Sequence, residues 1–255
     1  MREALLFKEY IKKSDDTFKF LSSESFEIFE KLFNEGFYDR IMHFKNPYKG
    51  PDVIVEYDNF TILLDHFEFD SSKSIKKSSS YRSNTAEILR DLEKEIKEKP
   101  DKTATIPREM KNDFSLSNYV NNLMRNLNTH NDKTKVYIEN YKNIKEKNAE
   151  QNIELGFIIE AKSPLPDYVA IGDEFHLITP FNINQFRTFL ENNSQIKHIF
   201  FLCKHDKDAK VYYFNNSLKS LEELKSSQPI IGIDNELIFK NPHAIAFGVL
   251  IPTEE

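Results

Sequence analysis

Acidic side chains stand at the ends of apolar runs in this chain of 255 residues. Asp52 directly precedes Val53-Ile54-Val55, Asp65 and Glu68 interrupt the run that starts Phe60-Thr61-Ile62-Leu63-Leu64, and Glu160 closes Leu155-Gly156-Phe157-Ile158-Ile159. Lys162 lies two residues beyond Glu160, so in a strand both side chains point to the same face while Ala161 points away. A carboxylate such as Asp65, set in a core strand, is costly to desolvate without a partner. A divalent ion held by two or three carboxylates, drawn from Asp52, Asp65, Glu68 and Glu160, is one solution. The Lys162 ammonium beside it can stabilise a developing negative charge or orient an attacking water. Each residue also has a plain structural reading. Pro51-Asp52 suits a turn leading into a strand, and Glu160 and Lys162 suit a charged strand edge. Residues 65–70 alternate polar side chains with Phe67 and Phe69, which leaves His66 as a hydrogen-bonded structural histidine.

The elements that must carry these residues follow from periodicity. Phe26, Phe29, Leu32 and Phe33 at helical spacing predict a helix over 23–34, with Gly36 placed to cap it. Residues 53–57 and 60–69, joined by Asp58-Asn59, predict a β-hairpin. Asn84 and Glu87 fit a capping pair ahead of Ile88, Leu89, Leu92 and Ile96, and Pro100 stops that helix. Two further stripes, Leu116 to Leu127 and Val136 to Ile144, make 71–150 a largely helical insertion. Strand character returns at 153–160. Asn182 and Gln185 then fit a second capping pair ahead of a helix, followed by a strand at 198–203 and its hairpin partner at 211–214. A short helix capped by Ser217 and two strands, near 237–239 and 244–251, complete an α/β chain built on a mixed sheet. The expected organisation is a single domain, 1–255, with a core at 15–70 and 151–255.

Composition narrows the chemistry. The six glycines, Gly36, Gly50, Gly156, Gly172, Gly232 and Gly248, are too scattered for a dinucleotide fingerprint, a P-loop or a nucleophile elbow. The seven histidines include no pair with zincin spacing, and one cysteine, Cys203 in an apolar run, rules out an intrachain disulfide. Cys203 fits a reducing, cytoplasmic setting. The amino-terminal apolar patch is shorter than a signal peptide, and no run approaches a membrane span. A net charge of −6 argues against a general nucleic-acid coat. The segment SSKSIKKSSSYRS at 71–83 is nonetheless locally basic, and its Lys73, Lys76, Lys77 and Arg82 either grip phosphates or form a solvated connector.

With Pro51-Asp52, the strand LGFII ending in Glu160-Ala161-Lys162, and this order of elements, the chain resembles the PD-(D/E)XK nuclease superfamily over about half its length. The resemblance implies a restriction-endonuclease-like core of one helix, three strands, a helix and a strand. It implies a bound Mg²⁺, or Mn²⁺, on the Asp and Glu, a lysine that helps activate water, and an acid on the first helix, here Glu27. Two placements of the second motif are open. If the insertion falls between the second and third strands, Asp65 and Glu160 can be sheet neighbours beside Lys162. Otherwise the hairpin carries the site with Asp65-His66-Phe67, which lacks the lysine, and Lys73 must reach in. The expected function is a cytoplasmic, metal-dependent phosphodiester hydrolase of prokaryotic or phage type, with Asp65, Glu160 and Lys162 as its catalytic set and DNA or RNA as its partner. The alternatives are a catalytically inactive nuclease-fold binding or regulatory protein of a defence or mobile-element system, or an accessory protein that docks a partner through the stripe Leu116 to Leu127.

Overall fold

The computed structural model describes residues 18–33, 40–42, 50–75, 78–98, 104–108, 114–145, 152–162, 168–171, 174–203, 210–231, 237–238 and 245–249. In chain order the strands are β1 Phe18–Phe20, β2 Ile41–Met42, β3 Val53–Glu56, β4 Phe60–Phe69, β5 Ser74–Ile75, β6 Ser78–Ser79 and β7 Ala104–Arg108. They continue with β8 Asn152–Ala161, β9 Tyr168–Ile171, β10 Glu174–Leu177, β11 Ile196–Cys203, β12 Lys210–Asn215, β13 Leu237–Ile238 and β14 Ile245–Val249. The helices are α1 Ser23–Leu32, α2 Ser80–Glu98, α3 Leu116–Asn131, α4 Thr134–Lys145, α5 Asn184–Asn192 and α6 Leu218–Ser227.

The chain divides into two compact units. The first comprises Met1–Phe69, Leu123–Pro166 and Ile178–Gly232, and the second comprises Asp70–Asn122, Asp167–Leu177 and Ile233–Glu255. Residues 71–150, expected as one insertion, are thus shared between the units at Asn122.

The first unit is built on a mixed α/β sheet of seven strands in the order β1-β12-β11-β8-β4-β3-β2. β3 and β4 form the expected antiparallel hairpin. β4 and β8 are parallel neighbours, and so are β8 and β11. A parallel pair needs a crossover, and the helices between β4 and β8 supply it. On one sheet face α1 begins where the Ser22 hydroxyl accepts the Ser25 N–H at 3.0 Å. Its Phe29, with Phe33 after it, packs on Ile62, Leu64, Ile158, Phe200 and Leu202. On the other face Phe67 and Phe157 meet edge to face, and the Tyr141 hydroxyl lies 2.9 Å from Thr61 Oγ1. Gly156 permits this close register. A Cβ there would meet the His198 carbonyl oxygen at 2.4 Å and Leu64 Cδ2 at 2.7 Å, so β4, β8 and β11 can lie side by side only over glycine.

The second unit contains the β5–β6 hairpin, the three-stranded sheet β10-β9-β13 and the β14–β7 pair. β5, β6 and β7 interrupt the helical character expected over 71–150. The Asn84–Glu87 cap is corrected: α2 starts at Ser80, and the Tyr81 N–H is accepted by the Ser72 hydroxyl at 3.1 Å, from outside the local sequence. The Asn182–Gln185 cap, in the first unit, is corrected too. Asn182 Oδ1 accepts from the Thr179 N–H and hydroxyl at 3.1 and 2.8 Å, closing a 3-10 turn over Pro180–Asn182 before α5 begins. The cap at Ser217 forms as expected, with its hydroxyl accepting the Ser220 N–H at 3.1 Å. Gly36 lies outside the described residues. Leu116, Val120, Leu123 and Leu127 are all buried, so the stripe proposed for docking a partner is used in packing within the chain. Among the described residues no helix is long and apolar enough to cross a membrane.

Candidate metal centre

Strand alternation decides which acids meet. In β4 the side chains of Ile62, Leu64, His66 and Glu68 share one face, and those of Leu63, Asp65, Phe67 and Phe69 share the other. The β4–β8 register sets His66 opposite Ile158 and Glu68 opposite Glu160. Apolar packing against α1 reaches Leu64 and Ile158. Immediately beyond, at the carboxyl ends of two parallel strands, the same face turns polar with His66, Glu68 and Glu160. Open α/β sheets place ligands at such strand ends.

One ligand atom from each of His66, Glu68 and Glu160 lies within 4.8 Å of the others. Glu160 is 2% exposed, so its charge must be matched locally. His66 Nε2 lies 3.2 Å from Glu160 Oε2. Lys162 Nζ lies 2.5 Å from Glu160 Oε1 and 3.3 Å from Glu68 Oε1. The Lys162 N–H donates to the Phe69 carbonyl at 2.8 Å, extending the β4–β8 ladder by one step and fixing where the lysine stem starts. Asp52 holds the opposite flank, its Oδ2 accepting the His66 N–H at 2.8 Å.

The charges are interdependent. Burial alone pulls the His66 imidazole down, but its bond to Glu160 and the negative charges of Glu160, Glu68 and Asp52 outweigh burial and hold it above the usual histidine range. Burial pushes the Glu160 carboxyl up, and the bonds and charges of His66 and Lys162 reverse this, leaving it below the usual range. Lys162 is likewise raised, because Glu160 and Glu68 overcome the effect of its burial.

Asp65, expected beside Glu160, lies on the other face, since its register partner is Phe157 and not a residue of the acidic cluster. Its Oδ2 is 2.6 Å from His130 Nδ1 on α3. The Tyr137 phenol of α4 also bonds this carboxylate and is raised, first by burial and then by the Asp65 charge. The His130 ring stacks on Phe67 at 4.9 Å. Asp65 is therefore a buried carboxylate matched by helix side chains, and the expected joint role of Asp65 and Glu160 on one ion is corrected by strand parity. Asp52 touches the cluster through the His66 backbone, outside the group of three ligand atoms. Glu27 is exposed on α1.

A third acid–imidazole pair on this sheet, with its imidazole buried, is structural. His198, fully buried, lies 2.7 Å from Glu154 Oε2 and 2.8 Å from the Tyr213 hydroxyl. In the second unit Lys73 is exposed and Arg82 Nε lies 3.5 Å from the buried Asp70, while Lys76 and Lys77 are outside the described residues. Sequence reasoning passed over His66 as a ligand and missed His130 and Tyr137 as the partners of Asp65. The alternation His66-x-Glu68 against Asp65-x-Phe67 is the signal that separates the two sets.

No family model, curated protein or solved structure matches this chain.

Proposed function

We propose that this chain is a divalent-metal-dependent phosphodiester hydrolase acting on DNA or RNA, with its site on the α1 face of β4 and β8. The observation that carries the reading is the convergence of His66, Glu68 and Glu160 within 4.8 Å, with Lys162 Nζ 2.5 Å from Glu160. Two carboxylates suit Mg²⁺, and an imidazole nitrogen in the same set moves the preference toward Mn²⁺. When bound, such an ion lowers the pKa of a coordinated water and offsets charge on a phosphoryl oxygen. Glu160 and Glu68 hold the ion, and His66 completes the set with its backbone held by Asp52. Lys162 stands beside the ligands, where its ammonium stabilises charge on a phosphate oxygen or orients the attacking water. Independently of that site, the basic segment of the second unit, with Lys73, Lys76, Lys77 and Arg82, is a candidate for contacts to nucleic-acid phosphates.

A second reading keeps the fold as a catalytically inactive binding or regulatory protein. It is favoured by Phe67, which stands where the hairpin form of the resemblance requires lysine. Cleavage of single- and double-stranded DNA and RNA with added Mg²⁺ or Mn²⁺ separates the two. The hydrolase reading expects cleavage that Glu160→Ala lowers at least about 10²-fold, while Asp65→Ala, per folded molecule, leaves it within a few-fold. No cleavage, or cleavage indifferent to Glu160→Ala, contradicts the hydrolase.

A further inference from the structure

Lys162 Nζ contacts Glu160 Oε1 at 2.5 Å and Glu68 Oε1 at 3.3 Å, so it sits on two of the three groups that can ligate an ion. The three ligand atoms lie within 4.8 Å of one another, a space suited to a single cation. An ammonium and a divalent ion held by the same two carboxylates would repel each other at close range. Nor can Glu160 be left bare, because a buried carboxylate needs a matching charge at all times. One cation must therefore replace the other.

Resting on the metal reading above, we propose that Lys162 competes with the divalent ion for Glu160 and Glu68, so that ion uptake and release of the lysine ammonium are one event. The main-chain bond from Lys162 to Phe69 keeps the lysine stem beside the site throughout. The side chain is 34% exposed, and its flexible four-carbon stem lets the ammonium swing toward solvent without disturbing the sheet. Once released, the ammonium is freed from carboxylates and offered to an anionic oxygen at the edge of the site. Ion and anionic substrate then bind with positive coupling, each favouring the other. In this arrangement the lysine serves as counter-charge before the ion arrives and as anion contact afterwards.

Two measurements on the full chain test this. Calorimetric titration with MnCl₂ is expected to show at least about fivefold tighter binding for Lys162→Met, which keeps the stem and removes the charge. Acylation of lysines, read by mass spectrometry on the unaltered chain, is expected to rise several-fold at Lys162 when Mn²⁺ is added, with Lys197 unchanged as the internal reference. Equal or weaker binding by Lys162→Met, or labelling of Lys162 that ignores Mn²⁺, overturns the competition. The labelling decides the matter even if the variant does not fold. Failure of both proteins to take up Mn²⁺ overturns the metal reading itself, whereas Mn²⁺ competition without nucleic-acid cleavage overturns only the hydrolase.

Discussion

Asp65 and His66 are neighbours in one strand, yet each belongs to a different acid–imidazole cluster on opposite faces of the sheet. On the α3 and α4 side, Asp65 is closed in: its side chain is 6% exposed and is matched by His130 and Tyr137. On the α1 side, Glu160 is as deeply buried, but Lys162 and Glu68 beside it are 34% and 36% exposed. The residue types are nearly the same; what differs is the cover. Side chains of α3 and α4 bond to Asp65 and cover it, so the cluster orients these helices on the sheet. Past Leu64 and Ile158 the apolar packing against α1 ends, and the second cluster opens to solvent at Lys162 and Glu68. A buried carboxylate is thus informative about chemistry only together with the access of its partners.

The largest effect expected from breaking this contrast is the loss of metal-dependent cleavage in Glu160→Ala, at least about 10²-fold, with no comparable loss in Asp65→Ala. Stability should respond the other way. Asp65→Ala leaves His130 and Tyr137 facing a cavity where a charge stood, and unfolding in urea should show a loss of about 3 kcal/mol. A loss below about 1 kcal/mol would mean that the Asp65–His130 pair behaves like an exposed ion pair.

The smallest effect is a pH dependence that differs between the faces. The raised pKa of His66 contributes stability that is complete below the ordinary histidine value of 6.5 and is lost as pH rises through the folded-state value. The lowered pKa of Glu160 contributes above 4.5 and is lost as pH falls through its folded-state value. With no divalent ion added, the α1-face cluster should therefore stabilise most between about 4.5 and 6.5. His66→Asn should flatten the decline on the alkaline side. Tyr137, on the other face, is raised from 10.0, so its contribution should persist until pH rises above that value. Thermal melts of the unaltered chain, His66→Asn and Tyr137→Phe from below pH 4.5 to above pH 10.0 check both. An alkaline decline unchanged in His66→Asn would remove the imidazole from the cluster's charge balance.

Much of the scaffold was legible in sequence because it rests on short-range patterns. The β3–β4 hairpin, the α1 stripe and the Ser217 cap depend on residues within a few positions of one another. The misplaced caps show the limit of such patterns: at the start of α2 the Tyr81 N–H is accepted by Ser72, nine residues back, and Asn182 closes a 3-10 turn with Thr179 rather than capping α5. The α/β class followed from the order of elements, whereas the pairing of the Asp65 strand with the Glu160 strand was one of two open placements and is fixed only by the β4–β8 register. The partners across that pairing did not follow from that order, because register over a long crossover is set by packing, here by the close approach at Gly156. Parity in β4 was present throughout. Same-face logic applied to Glu160 and Lys162 also joins His66 to Glu68 and excludes Asp65, whose partners on α3 and α4 are distant in sequence and carry no local mark.

Mn²⁺ titration of the unaltered chain, Glu160→Ala and Asp65→Asn decides between the α1-face cluster and Asp65 as the place where an ion is held. With the ion on the α1-face cluster, one Mn²⁺ binds per chain, is lost in Glu160→Ala and is retained in Asp65→Asn. Binding that survives Glu160→Ala but disappears in Asp65→Asn would contradict this placement and move the site to the other face of the sheet.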